Sequence, residues 1–147
     1  HPEQEKMQYR IEYFKTTEPP DINEIIKFID SANEFFQIFD LRNVYSETEI
    51  LSAMSRVERN LANSKKIREA GITLILYLAF TDQISTALHN LGINSNTKHC
   101  AAVAANSRDM EAFEGNFRYF IREERPIPYD TSDDEIFEKM SNVDVLM

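Results

Sequence analysis

The sequence is short of cysteine, of glycine and of long apolar runs, and each shortage removes a class of function. Cys100 is its one cysteine in 147 residues. No intrachain disulfide is therefore possible, and a reducing, cytoplasmic location is the natural expectation. One cysteine and 3 scattered histidines are too few for an ordinary structural zinc site. The 3 glycines, Gly71, Gly92 and Gly115, cannot build a phosphate loop of the Walker or dinucleotide type. No serine sits in a Gly-x-Ser-x-Gly elbow. The longest apolar stretch, Ile72 to Phe80, falls well short of the ~20 residues a membrane helix needs. His1 to Lys6 has no apolar centre, so no signal peptide is expected, and a start at His reads as a tag remnant or a trimmed end.

Positive charge is scarce as well. Against 25 Asp and Glu stand 16 Lys and Arg, a net charge of −9. That balance does not suit a stand-alone nucleic-acid binder, DNA included, because such affinity comes mostly from neutralised phosphates. The deficit is uneven. Residues 1–60 carry 7 basic and 12 acidic groups, and residues 106–147 carry 5 and 11, whereas residues 61–105 carry 4 and 2. The mildly basic middle holds Lys65, Lys66, Arg68 and Lys98. It reads either as a solvated face beside a core helix or as one local patch contributed to a larger assembly.

What is present is the composition of a folded globular chain, 42% apolar and 28% charged, of a length suited to one domain over residues 1–147. Gln8 to Phe14 alternates as a half-buried strand does. After Pro19 and Pro20, Asp21 caps a helix with a stripe of Ile22, Ile25, Ile26, Ile29, Ala32 and Phe36. Phe35 to Leu41 is expected to be a second strand. Ser46 and Glu49 form a capping box before the stripe Ile50, Leu51, Met54, Val57, Leu61. A hydrophobic helix over 68–80 and a short helix over 82–91 follow, with Thr81 as the cap of the latter and Gly92 as its left-handed end. Lys98 to Ala105 reads as a buried strand of small residues. A helix starting at Asp109, a strand at Phe117 to Ile121 and a last helix opening at Asp133 complete the chain. The order predicts an α/β or α+β fold with one mixed sheet packed against helices.

Catalytic candidates are few. His99 and Cys100 are adjacent in a strand and so point to opposite faces, and Cys100 reads as a small buried hydrophobe. Asp130 to Glu135 lacks the spacing and the glycine of a calcium loop. The expectation is a protein that is not an enzyme by itself and carries no cofactor.

The segment Asn63 to Ile93, a short basic stretch, a hydrophobic helix, a turn and then Gln83-Ile84-Ser85-Thr86-Ala87-Leu88-His89-Asn90-Leu91-Gly92, resembles the core of the kinase-binding subunit family of the KEOPS (EKC) complex. The resemblance is carried by this segment, with flanks that agree in architecture. Thr73 stands where many relatives have Glu, and Asp82 where a basic residue often precedes the Gln-Ile pair. The resemblance implies a non-catalytic subunit that binds a small atypical kinase/ATPase and helps capture the tRNA 3′ CCA end for threonylcarbamoyladenosine modification. It makes Lys65, Lys66 and Arg68 candidates for phosphate contact. Gln83, with both donor and acceptor atoms, either reads an unstacked base edge or satisfies the first helical turn. Ile84 and Leu88 are expected in the core. A kinase partner needs exposed apolar side chains, and the sequence offers two sets: Ile22, Ile26 and Ile29, or, preferred, Ile136, Phe137 and Met140. Two other readings are a small-molecule-binding or enzymatic domain, expected to gather His89 and His99 in a pocket, and a self-associating scaffold.

Overall fold

The computed structural model describes residues 8–62, 67–124 and 133–146. Four strands, β1 (Arg10–Thr16), β2 (Phe36–Asp40), β3 (His99–Ala104) and β4 (Phe120–Arg122), form one sheet in the order β2-β3-β1-β4. The class expected from the sequence holds, but the sheet is antiparallel at each of its three pairings rather than mixed. The reason is topological. β1 and β2 run the same way, and β3 inserts between them running the other way, opposing Cys100 to both Phe14 and Asp40.

Alternation along the strands divides the core into two layers. Tyr13, Phe39, Ala101 and Val103 face α2 (Glu47–Ala62), α3 (Ile67–Leu78), α4 (Ile84–Leu91) and α6 (Asp133–Leu146). Phe14, Phe36, Ile38, Cys100, Ala102 and Ala104 face α1 (Ile22–Ser31) and α5 (Ser107–Asn116). Residues 100–104 of β3 are wholly buried. Their small side chains leave the volume that a cluster of aromatic rings then fills. Phe113 sits at the centre of that cluster, its ring 5.7 Å from Phe14, 5.3 Å from Phe36, 5.2 Å from Phe117 and 5.0 Å from Phe120. On the other layer Asp144 fastens α6 across α2 and α3. It accepts from Arg56 Nε at 3.1 Å and from the Tyr77 hydroxyl in a short bond. Burial and the neighbouring Asp144 push the Tyr77 hydroxyl up to about 12, so it remains a donor.

Helix ends follow local chemistry. Asp21 caps α1 by accepting from the Glu24 N–H at 3.2 Å, and Asn106 caps α5 by accepting from the Asp109 N–H at 2.7 Å. The second helix thus begins earlier than its acidic residues suggest. α1 ends at Ser31, so Phe36 belongs to β2 and not to the helical stripe. Neither bond of the expected α2 capping box is made, the Glu49 carboxylate reaching one residue past the cap. Glu49 accepts from the Tyr45 N–H at 3.0 Å, whereas the buried Ser46 hydroxyl has no partner among the described residues. Leu51 leaves the stripe and is exposed.

The left-handed residue lies after α3, not after α4. Phe80 has φ 54, the Thr81 N–H reaches the Leu76 carbonyl at 3.2 Å and the Phe80 N–H that of Tyr77 at 3.1 Å. This double bond pattern ends a helix sharply, normally with glycine in the left-handed position. Gly92 has φ −66 instead. It is glycine because a Cβ there would sit 2.4 Å from the Leu88 carbonyl oxygen.

Glu49 is buried, and desolvation raises its carboxyl to about 6, opposed by the Tyr45 N–H and by Lys139. The folded protein therefore holds a proton that the unfolded chain releases near pH 4.5, and stability falls as pH rises between those values. The loss is of order 1–2 kcal/mol. Glu49→Gln keeps the acceptor without the charge, so its stability relative to wild type should rise from about pH 4 to about pH 7 in urea melts. Parallel profiles would show that the buried charge does not govern the pH dependence.

Candidate partner interface

Gln83 opens α4 and is exposed, with the Phe80 turn immediately before it. Its backbone N–H is held by the Thr81 hydroxyl at 3.1 Å and its side-chain amide donates to Asp82 at 3.1 Å. Thr81 thus secures the turn, while Gln83 is the residue at the cap position. The Gln83 side chain does not cap the helix, so the first-turn role is not what it performs. Ile84 and Leu88, expected in the core, are 53% and 43% exposed. They share one face of α4 at i, i+4 spacing, while Ala87 and Leu91 take the core face.

The other end of α4 is tied to the end of β2. Arg42 donates to the His89 carbonyl at 2.6 Å and Asn43 to that of Asn90 at 2.8 Å, satisfying carbonyls that a helix end leaves unpaired. Arg42 is itself held by Asp40, at 2.7 Å to one carboxylate oxygen, and Thr97 donates to the same oxygen at 2.7 Å. Asp40 is 5% exposed, its charge met by Arg42 and its hydrogen bonding by Thr97.

The position of α4 leaves an apolar groove of about 630 Å³ between it, α1, β2 and α3. Ile22, Ile26 and Ile29 form one wall, Ile72, Ile75, Leu88 and Ile93 the other, and Phe36, Gln37 and Ile38 the floor. Ile26 is 50% exposed, and Asp30 and Glu34 stand at the groove's margin. The volume lies in the range of ligand pockets, but neither His89 nor His99 lines it. His99 lies 2.6 Å from Glu123 at the sheet surface instead. Cys100 is inert by position, since burial, Asp40 and Glu123 all push its thiol upward. Among the described residues no group of His, Cys, Asp and Glu could hold a metal, and no helix is long and apolar enough to cross a membrane.

Of the residues expected to touch RNA, Lys65 and Lys66 lie outside the described residues, Arg68 stands in the first turn of α3, and Gln83 follows its far end. From Arg68 to the end of α3 at Leu78 lies about 15 Å of helix. Thr73 is buried and donates to the Glu69 carbonyl at 2.8 Å, so it presents nothing to a ligand. Of the preferred partner set, Ile136 and Met140 are fully buried and cannot form a surface. With Val143 they make the stripe that packs α6 into the core, and Phe137, one position round, points outward at 45% exposure. The α1 isoleucines are the ones the groove brings together. Their signal was legible in α1 as an apolar arc wider than one buried face requires. The contribution of Gln37 had no signal of its own.

A family model described as kinase binding protein CGI-121 matches residues 15–146. No curated protein matches the chain.

Asp40→Asn should weaken the tie between β2 and α4 and cost about 1–3 kcal/mol. Amide exchange in α4 should accelerate more than in α5. Uniform acceleration of both helices would show that the tie is not local.

Proposed function

Since the chain belongs to the kinase-binding CGI-121 family, we propose that it is a non-catalytic, cytoplasmic subunit of the KEOPS complex that docks on the small atypical kinase/ATPase. The groove carries this reading. It gathers exposed Ile26 and Leu88 in one concave apolar surface, and buried apolar anchors in pockets dominate protein interfaces. Residues of the Gln83–Gly92 motif contribute directly to its wall. The motif thus serves the partner surface as well as RNA.

In the same reading the basic segment before α3 and the exposed Gln83 help hold the tRNA 3′ CCA end once the complex is assembled. Phosphates would be met by Lys65, Lys66 and Arg68, and an unstacked base edge by the Gln83 amide, whose nitrogen is already oriented by Asp82. The net charge of −9 makes weak RNA binding by the isolated protein the natural consequence. No turnover is expected of the isolated chain.

Titration calorimetry with the recombinant kinase should show binding that Ile26→Asp and Leu88→Asp each weaken at least about tenfold, by placing a charge in the apolar groove. Equal affinity in both variants would move the interface elsewhere on the surface. Lys65→Glu with Lys66→Glu should lower tRNA affinity of the assembled complex and reduce its salt slope by about 0.7 for each phosphate no longer neutralised, with the melting temperature unchanged. Retention of full tRNA affinity would remove the RNA part of the proposal.

A further inference from the structure

β2 is an edge strand, and its outer side forms the floor of the groove. The Leu41 N–H donates to the His99 carbonyl and the Ala105 N–H to that of Phe35. With the register Phe36↔Ala104 and Ile38↔Ala102, the alternation of an antiparallel pair turns the backbone groups of Phe36 and Ile38 away from β3. They point into the groove. The Ile38 N–H is covered by the Gln37 side-chain oxygen at 2.9 Å. In this register β3 pairs neither the Phe36 N–H nor the Ile38 carbonyl.

Edge strands are ordinarily protected by shortness, by charge or by proline. β4, the opposite edge, has three residues, and its Arg122 is paired with Glu114 at 2.5 Å. β2 has five residues, Phe-Gln-Ile-Phe-Asp, all buried, without lysine or proline. Its one charge, Asp40, is taken up by Arg42, and the outward Ile38 N–H is covered by the Gln37 amide alone. Gly71 in α3 makes room for it: a Cβ there would lie 3.0 Å from the Gln37 side-chain nitrogen.

We infer that the groove receives an extended segment of the partner kinase, which adds a strand to the outer side of β2. Such an occupant satisfies both features of the site. Its backbone supplies the acceptor and donor that Phe36 and Ile38 require, and alternate apolar side chains fill the walls at Ile26 and Leu88. A helix fits less well, because its backbone groups are already paired within it. Charge selects the flank. Asp30 and Glu34 at the margin favour a segment carrying a basic residue at that end. The Gln37 amide holds the place of the incoming strand and is displaced on docking.

This inference rests on the kinase-binding reading, and amide hydrogen exchange of the full chain, alone and saturated with recombinant kinase, separates the two. Strand addition predicts at least about tenfold slower exchange at Phe36 and Ile38 in the complex. Gln37→Ala should speed Ile38 exchange in the free protein and leave it as slow as wild type in the complex. Asp30→Lys with Glu34→Lys should weaken binding about tenfold, more at low salt than at high. Kinase binding with unchanged exchange at both amides would overturn strand addition and leave the kinase-binding function standing. Absence of binding would overturn both. Slowing that grows with concentration of the protein alone would assign the edge to a second copy and overturn the kinase as occupant.

Discussion

The insertion of β3 between β1 and β2 is the constraint on which the rest of the structure depends. It makes the sheet antiparallel throughout and leaves β2 at the edge. A central strand must be buried on both faces, and Cys-Ala-Ala-Val-Ala over 100–104 meets that demand with small side chains. Bulk is supplied from elsewhere, by the phenylalanines of one layer and the aliphatic helices of the other. Because α1 packs on one face and α3 and α4 on the other, the β2 edge lies at the bottom of a trough instead of being open to solvent.

One wall of that trough is held by a charge at the end of β2. Asp40 ends β2 and, through Arg42, holds the last turn of α4. Asp40 is buried while Arg42 reaches the surface, so the contact is half-buried, and through the His89 carbonyl it fixes where α4 sits. The other end of α4 is set by backbone geometry. Phe80 adopts a conformation that costs an L-residue roughly 1–2 kcal/mol. The strain is borne at the turn that presents Gln83 and Ile84 to solvent. One short helix is thus fixed at both ends, and the side chains it exposes, Ile84 and Leu88, are apolar.

Much of this was legible in the sequence, because helices and strands with one clear apolar face declare themselves. The α1 cap at Asp21, the α3 hydrophobic run and the small-residue strand are all local patterns. The misplacements arise where tertiary contact decides. The stripe Ile136, Met140 marks α6 as amphipathic, but periodicity cannot say whether an apolar face meets its own core or a partner. Ile84 and Leu88 erred in the opposite sense for the same reason. Gly92 suggested a left-handed cap, yet it is required by the close approach of a carbonyl, and the left-handed position went to a phenylalanine that no propensity favours. The outward backbone groups of β2 follow from register, which pairs residues more than sixty positions apart.

The kinase-facing groove is the central claim, and site-specific photo-crosslinking tests it most directly. A photoreactive residue placed at position 26 or 88 should crosslink to bound kinase, and one at the exposed Arg118 beside α5 should not. Crosslinks at position 118 with none at 26 or 88 would contradict the account.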